Sequence, residues 1–213
     1  MLLGIDTCGA SGTVALGRWE NEAIGLVAQK EIVGKTYSAQ LVPTIQQLLE
    51  GQGVGLEGLE AVVVVHGPGS FTGVRIGVST AKALSEALGI PLLAVSRLAV
   101  LVYVTGSDAA VLDAGRGEFY FRAQAEEVLL SPEEIRERFT GRLAVCEKSA
   151  AQMFPEAAVV DPPLAADALA FALPRLAAKD FDDVACIDGN YLRRSDAEIF
   201  AKRAGEAAGV GRE

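Results

Sequence analysis

The stretch Gly67-Pro68-Gly69-Ser70-Phe71-Thr72-Gly73-Val74-Arg75-Ile76-Gly77 follows the run Ala61-Val62-Val63-Val64-Val65. So short and apolar a β-branched run reads as a strand buried on both faces, and the Gly/Pro cluster after it must turn the chain sharply. Beyond the turn, Val74, Val78, Ala81, Leu84 and Leu88 recur at helical spacing up to Gly89, with Pro91 as a stop. The motif is therefore strand, tight glycine turn, helix start, a geometry suited to anions. A Walker A loop needs four residues between its glycines and then Gly-Lys-Ser/Thr. Here five residues separate Gly67 from Gly73, and Val74-Arg75 follow. A dinucleotide fingerprint would want glycine at Thr72 and no proline at the tightest point, so it is disfavoured too.

Working outward, the first third reads as strands over Leu2 to Thr7, Thr13 to Gly17 and Leu26 to Val33. Thr36 or Ser38 caps a helix carrying Leu41, Ile45, Leu48 and Leu49 on one face. After the second helix, Leu92-Leu93-Ala94-Val95 forms another strand. The second half restarts in the same way, with Ala109 to Gly115 and Phe119-Tyr120-Phe121 around an Asp/Gly turn, so a weak internal duplication is expected. Ser131-Pro132-Glu133-Glu134 is a capping box that starts a helix running to about Phe139. Short strands follow at Leu143 to Cys146 and Ala158 to Val160, then an Ala/Leu-rich helix over Leu164 to Ala178 with Pro174 as a kink. The pattern indicates an α/β fold with mixed sheets.

The 213 residues, half of them hydrophobic, can bury a substantial core in one domain or two small lobes. A net charge of -9 opposes direct, non-specific binding to nucleic acid, so no direct nucleic-acid contact is expected of this chain. Cys8, Cys146 and Cys186 are odd in number and far apart, which fits a reduced, cytoplasmic protein. No membrane segment is expected, because Ser96 and Arg97 break the longest apolar run, Leu92 to Val104.

His66 is the single histidine, which excludes any mechanism needing two imidazoles within the chain and fits a packing or turn-capping role. Gly73, Gly77, Ala81 and Ser85 repeat every four residues as a stripe of small side chains. Two glycines early in a helix cost roughly 1 kcal/mol each relative to alanine, so close backbone approach should compensate, either within the chain or against a partner. Arg75 lies in the first turn or so of its helix, a poor place for a cation unless an anion is near. With the amides of Gly69 to Gly73 it makes a candidate anion and turn site comprising Gly67, Pro68, Gly69, Ser70, Thr72, Gly73 and Arg75. The anion is an intrachain carboxylate, a partner's carboxylate or a nucleotide phosphate.

The Gly67 to Gly77 segment, together with Gly4-Ile5-Asp6-Thr7, Asp113-Ala114-Gly115-Arg116-Gly117-Glu118-Phe119-Tyr120 and Tyr191-Leu192-Arg193, resembles the TsaB (YeaZ) family. That family falls in the actin, sugar kinase and Hsp70 (ASKHA) superfamily. The resemblance implies two ASKHA-like (RNase H-like) lobes with mixed sheets: an N-terminal lobe over residues 1–104 and a reduced C-terminal lobe over 105–213. It also implies a non-catalytic subunit that binds a TsaD-like transferase, joined by a TsaE-like ATPase, in making threonylcarbamoyladenosine beside the anticodon of tRNAs reading codons that begin with A. The chain alone has homodimerisation as its alternative. The implied partner interface is the two helices, through Leu41, Ile45, Leu48, Gly73, Gly77, Ala81 and Ser85. Asp6 and Asp113 correspond to vestigial phosphate-site aspartates. No adenosine-binding element is apparent, and neither a cofactor nor a metal is expected. The rival reading is a small ASKHA phosphotransferase using Asp6 and Asp113 with magnesium. The family commonly has histidine where this chain has Tyr37.

Overall fold

The structure is a computed structural model and describes residues 1–20, 23–33 and 36–193. Two five-stranded sheets share one plan. In the first, β1 (Leu2–Asp6), β2 (Gly12–Glu20) and β3 (Ala23–Ile32) form an antiparallel meander, and β4 (Ala61–Val65) and β5 (Leu92–Val95) add in parallel on the other side of β1, giving the order β3-β2-β1-β4-β5. In the second, β6 (Ala109–Gly115), β7 (Glu118–Ala123) and β8 (Glu126–Leu130) form the meander, and β9 (Leu143–Val145) and β10 (Ala158–Val159) the parallel pair, in the order β8-β7-β6-β9-β10. The expected duplication is thus present strand for strand.

The helices differ between the halves. α1 (Tyr37–Gly51) leads from the meander into β4 and α2 (Phe71–Leu88) links β4 to β5, where the second half has only α4 (Pro132–Arg138) and α5 (Lys148–Met153) in the corresponding places. Every residue of β4 is buried, since the sheet is covered on both faces. Burying each of the valines Val62 to Val65 contributes on the order of 1.5–3 kcal/mol. α4 starts at Ser131 with the capping box read from the sequence, both reciprocal bonds being formed.

The helix that follows each sheet packs on the other sheet. α3 (Arg97–Thr105) lies against β6, β7 and β9, while α6 (Ala165–Ala177) covers the first sheet from β1 to β5 and meets α3. Gly4 of β1 makes that closeness feasible, because a Cβ there would stand 2.7 Å from the Ala165 carbonyl oxygen. A lobe drawn as 105–213 therefore does not follow the packing: residues 165–177 belong with the first sheet, and residues 194–213 lie outside the described residues. Pro174 is inside α6, as read from the sequence. The sequence reading has no counterpart for α3, β8, α5 or the short 3-10 turn Leu56–Gly58.

Candidate functional site

The glycine turn joins β4 to α2 with a cis Gly67-Pro68 bond, and Ser70 caps the helix, its Oγ accepting the Gly73 N–H at 3.3 Å. The turn is pressed onto the end of β1. Ser70 N–H donates to the Cys8 carbonyl at 2.8 Å, and Thr7 Oγ1 donates to the Gly73 carbonyl at 2.7 Å. A Cβ would stand 2.3 Å from the Cys8 carbonyl oxygen at Gly69, 1.9 Å from the Thr7 carbonyl oxygen at Gly73 and 2.3 Å from Thr7 Oγ1 at Gly77. Gly69 and Gly73 are required by backbone approach within the chain, and Gly77 by the Thr7 side chain.

This corrects the expected partner stripe. Gly73, Gly77, Ala81 and Ser85 are buried on the inner face of α2, and Ser85 Oγ donates to the Ile90 carbonyl at 2.5 Å. Leu41 and Ile45 are core residues of α1, and Leu48 is half-buried against the same core. The outer surface of these helices is made instead by Ala39, Val42, Pro43 and Gln46 of α1 and by Thr72, Arg75, Ser79 and Ala83 of α2. Glu50 is the single charged residue among the exposed positions of α1, and Arg75 and Glu86 are those of α2.

The expected anion site is also altered. Two of its amides, Ser70 and Gly73, are already donated within the chain. Arg75 is exposed, and its guanidinium lies over the Phe71 ring at 4.0 Å from the centroid. Its intrachain partner is a π face rather than a carboxylate, an attraction worth roughly 0.5–1 kcal/mol at an exposed position. Phe71 in turn meets Tyr191, the ring centroids 5.0 Å apart.

Asp6 ends β1, and Asp113, two residues before the end of β6, lines a cleft between the halves. Asp6 is buried, with Oδ1 accepting the Cys8 N–H at 2.8 Å, and half-buried Asp113 accepts the Gly115 N–H at 2.6 Å. Each carboxylate thus closes its own turn. Between them stands Arg97, the first residue of α3 and only 4% exposed. Its N–H donates to the Gly67 carbonyl at 2.7 Å, and Nη1 lies 3.3 Å from Glu147 Oε1. Glu147 Oε2 accepts the Asp113 N–H at 2.6 Å, so one chain of contacts links both aspartate turns to the glycine turn. A cavity of about 270 Å³ remains here, lined by Tyr37, Ser70, Arg97, Asp113 and Glu147 among others.

Burial pushes the Asp6 carboxyl above its ordinary pKa, and the Arg97 charge offsets part of that. Burial opposes the Arg97 charge, but Asp6 leads the neighbours that outweigh it and raise the pKa. Tyr37 is structural: its hydroxyl donates to the Gly9 carbonyl at 3.0 Å and its ring packs beside Gly12, bracing the β1–β2 turn. His66 holds the C-terminal segment, Nδ1 lying 3.1 Å from the Asp188 carbonyl oxygen while its own carbonyl accepts the Asn190 N–H at 2.7 Å.

Sequence reasoning passed over Arg97, Glu147 and Glu127. Glu127 gathers Ser96 Oγ, Arg122 at 2.6 Å and Asn190 at 2.5 Å, tying the hinge before α3 to the second sheet. One signal was present for Arg97: a lone cation inside a long apolar run must be buried with a carboxylate or exposed by a break in the fold.

The family model described as tRNA N6-adenosine threonylcarbamoyltransferase (TsaD) matches residues 26–190. The chain is 35% identical to the tRNA threonylcarbamoyladenosine biosynthesis protein TsaB of Bacillus subtilis over 123 residues, 56% of this chain and 52% of that protein. It is 30% identical to the Escherichia coli protein of the same name over 154 residues, 64% of this chain and 65% of that one. It thus spans less than two thirds of either relative. A solved Pseudomonas aeruginosa structure, described as similar to peptidase YeaZ, superposes with a TM-score of 0.76 at 27% identity, covering 90% of this chain and 99% of that one. Two duplicated mixed sheets with exchanged covering helices are the ASKHA, RNase H-like arrangement. The chain belongs to the TsaB/YeaZ family, within the reach of the TsaD family model.

Proposed function

We propose that this chain is a non-catalytic subunit in the synthesis of threonylcarbamoyladenosine beside the anticodon of tRNAs reading codons that begin with A. It organises a TsaD-like transferase, with a TsaE-like ATPase joining the assembly. The observation that carries this reading is the outer face of α1 and α2. On a chain of net charge -9, two long adjacent helices expose small, weakly polar residues and only three charges, while their inner faces are consumed by their own sheet. Protein interfaces are depleted of charge at their centres, which is the composition found here. The match to the TsaD model suggests a partner built on the same plan, with equivalent helices pairing across the contact. A second copy of this chain is the alternative occupant when it is alone.

The geometry favours a subunit over the rival phosphotransferase. A phosphotransferase would need Asp6 and Asp113 to face magnesium and phosphate, but each carboxylate caps its own turn and Arg97 stands between them. Among the described residues, no three His, Cys, Asp or Glu side chains are grouped to hold a metal ion. No described helix is long and apolar enough to cross a membrane. The test is co-purification with the TsaD of the same organism, alongside phosphate release from ATP and magnesium by the chain alone. Stable capture of TsaD without turnover is expected; turnover lost in Asp6→Asn would establish the phosphotransferase instead.

A further inference from the structure

Asp188-Gly189 is the one Asp-Gly pair in the sequence, and the sequence has no Asn-Gly pair. A carboxyl one residue before a glycine is open to attack by the main-chain nitrogen that follows it, because glycine puts no Cβ in the way. The structure brings the two groups together. Asp188 is exposed to water, and its side chain folds back so that Oδ1 accepts the Gly189 N–H at 2.7 Å. The carboxyl carbon is thereby held beside the nitrogen, in a segment outside any helix or strand. Gly189 is fixed as glycine by packing: a Cβ there would run into the Tyr191 ring and stand 2.7 Å from Val74 Cγ1.

We propose that Asp188-Gly189 is a modification site, where the chain isomerises through a cyclic imide to isoaspartate. The Gly189 nitrogen gives its proton to solvent and bonds to Asp188 Cγ, whose hydroxyl leaves as water. Water then adds to one of the two imide carbonyl carbons and breaks that carbon's bond to nitrogen. Addition at the Asp188 main-chain carbonyl carbon frees it as a carboxylate and leaves the chain running through Cβ and Cγ. One water leaves and one returns, so mass and charge are unchanged and the step needs no oxidant or reductant. The backbone is longer by one atom.

The fold gives that atom a consequence. On one side Ile187 is buried, and its carbonyl accepts from Lys82 Nζ at 2.9 Å. On the other, the Asn190 N–H donates to the His66 carbonyl at 2.7 Å, and Asn190 Nδ2 donates to Glu127 Oε2 at 2.5 Å. An atom inserted between two fixed points must displace one of them. The Asp188 carbonyl, 3.1 Å from His66 Nδ1, becomes the freed carboxylate, so that contact is remade as well. The segment loosened in this way carries Tyr191, whose ring packs on Phe71 at the start of α2 with centroids 5.0 Å apart.

Prolonged incubation of the whole chain at neutral pH tests the proposal, with isoaspartate labelled by an isoaspartyl methyltransferase and placed by fragmentation of the Asp188 peptide. The label is expected at Asp188 no more slowly than in the chain unfolded in urea, because the fold presents the carboxyl to the nitrogen. Asp188→Glu should lose the label from this peptide, since its closure would need a six-membered ring. Asp188→Asn should gain it faster, releasing ammonia instead of water. After equal ageing, the melting temperature of the unsubstituted chain should fall while that of Asp188→Glu holds. Formation far slower in the native chain than in urea, a label that persists in the Asp188→Glu peptide, or identical melting of the two aged proteins would each overturn the proposal. These readouts use the chain alone and stand apart from capture of TsaD.

Discussion

The two halves of the molecule have the same five strands in the same order, yet 15- and 18-residue helices lead into and join the parallel strands of the first while 7- and 6-residue helices do so in the second. The sheet needs only enough helix to cover its face, and the second half shows how little that is. The additional length in α1 and α2 therefore calls for another use, and the outer surface that it creates is the proposed partner face. The contrast also runs through α2 itself: its inner face is pressed onto Thr7 through Gly73 and Gly77, and its outer face is exposed.

The sharpest way to break this comparison is to enlarge the inner face. Gly73→Leu drives a side chain into the Thr7 carbonyl, which cannot move without displacing β1. The expected loss is about 3 kcal/mol or more, read as a collapse of the urea midpoint. Gly77→Leu should lose less, because its nearest obstacle is the Thr7 hydroxyl rather than backbone. Wild-type melting of either variant, with loss only of association, would return the stripe to an intermolecular role.

The outer face should give the opposite result. Ala83→Arg and Val42→Asp place charges on exposed positions, so melting should change by no more than about 0.5 kcal/mol. Affinity for the TsaD-like partner should fall roughly tenfold or more, measured by titration of the purified pair. An unchanged complex would mean that the partner binds elsewhere, and the length of α1 and α2 would need another cause.

Much of this was legible from local chemistry. The glycine turn, the Ser131 capping box and the β4 run are specified by residues adjacent in sequence, so their elements fall where they were read. The small-residue stripe signalled close approach correctly, but spacing alone does not say which chain approaches. α3 escaped notice because Arg97–Thr105 is apolar nearly all round, as suits a helix wedged between a sheet and α6, and so it lacks the one-sided period of a surface helix. Its true marks were Ser96, which caps it, and Gly106, which ends it in the left-handed conformation. Arg97 and Glu147 are 50 residues apart, and only the tertiary fold brings them together.

A smaller asymmetry concerns the sheet edges. The edge strand β5 is covered by the segment at Asp182, whose N–H donates to the Leu92 carbonyl at 3.1 Å and whose Oδ2 accepts the Ala94 N–H at 2.8 Å. Burial alone would raise the Asp182 pKa, but its bonds to Arg175 and Ala94 lower it overall. A depressed carboxylate stabilises the fold above its unfolded pKa and loses that contribution as pH falls through the folded value. Asp182→Asn should therefore cost about 1–3 kcal/mol at neutral pH and flatten the acid limb of a stability profile. An equal loss at pH 7 and at pH 2 would show that the charge is irrelevant and that only packing against β5 matters.

The mildest effect separates the thiols at the junction of the halves from the one outside it. Cys146 follows β9 beside Arg97, and burial, against the pull of that cation, pushes its pKa from 9.0 to about 11. Cys8 is buried just after β1, with Sγ donating to the Val65 carbonyl at 3.2 Å, and burial and then Asp6 push its pKa well above the ordinary thiol value. Cys186 is exposed, with Sγ bonded to Asp183 at 3.4 Å, and that bond raises its pKa. At pH 8 about one Cys146 in a thousand is thiolate, and the thiolate is the reactive form. Iodoacetamide should therefore label Cys186 first, Cys146 far more slowly and Cys8 only on unfolding, as followed by peptide mass. Because the folded pKa of Cys146 exceeds its unfolded value, the fold should also lose stability as pH rises from about 9 toward 11. Rapid labelling of Cys146 in the native protein at pH 8 would mean that the junction around Arg97 opens readily, and the two halves would then be hinged rather than locked by the Arg97 and Glu127 contacts.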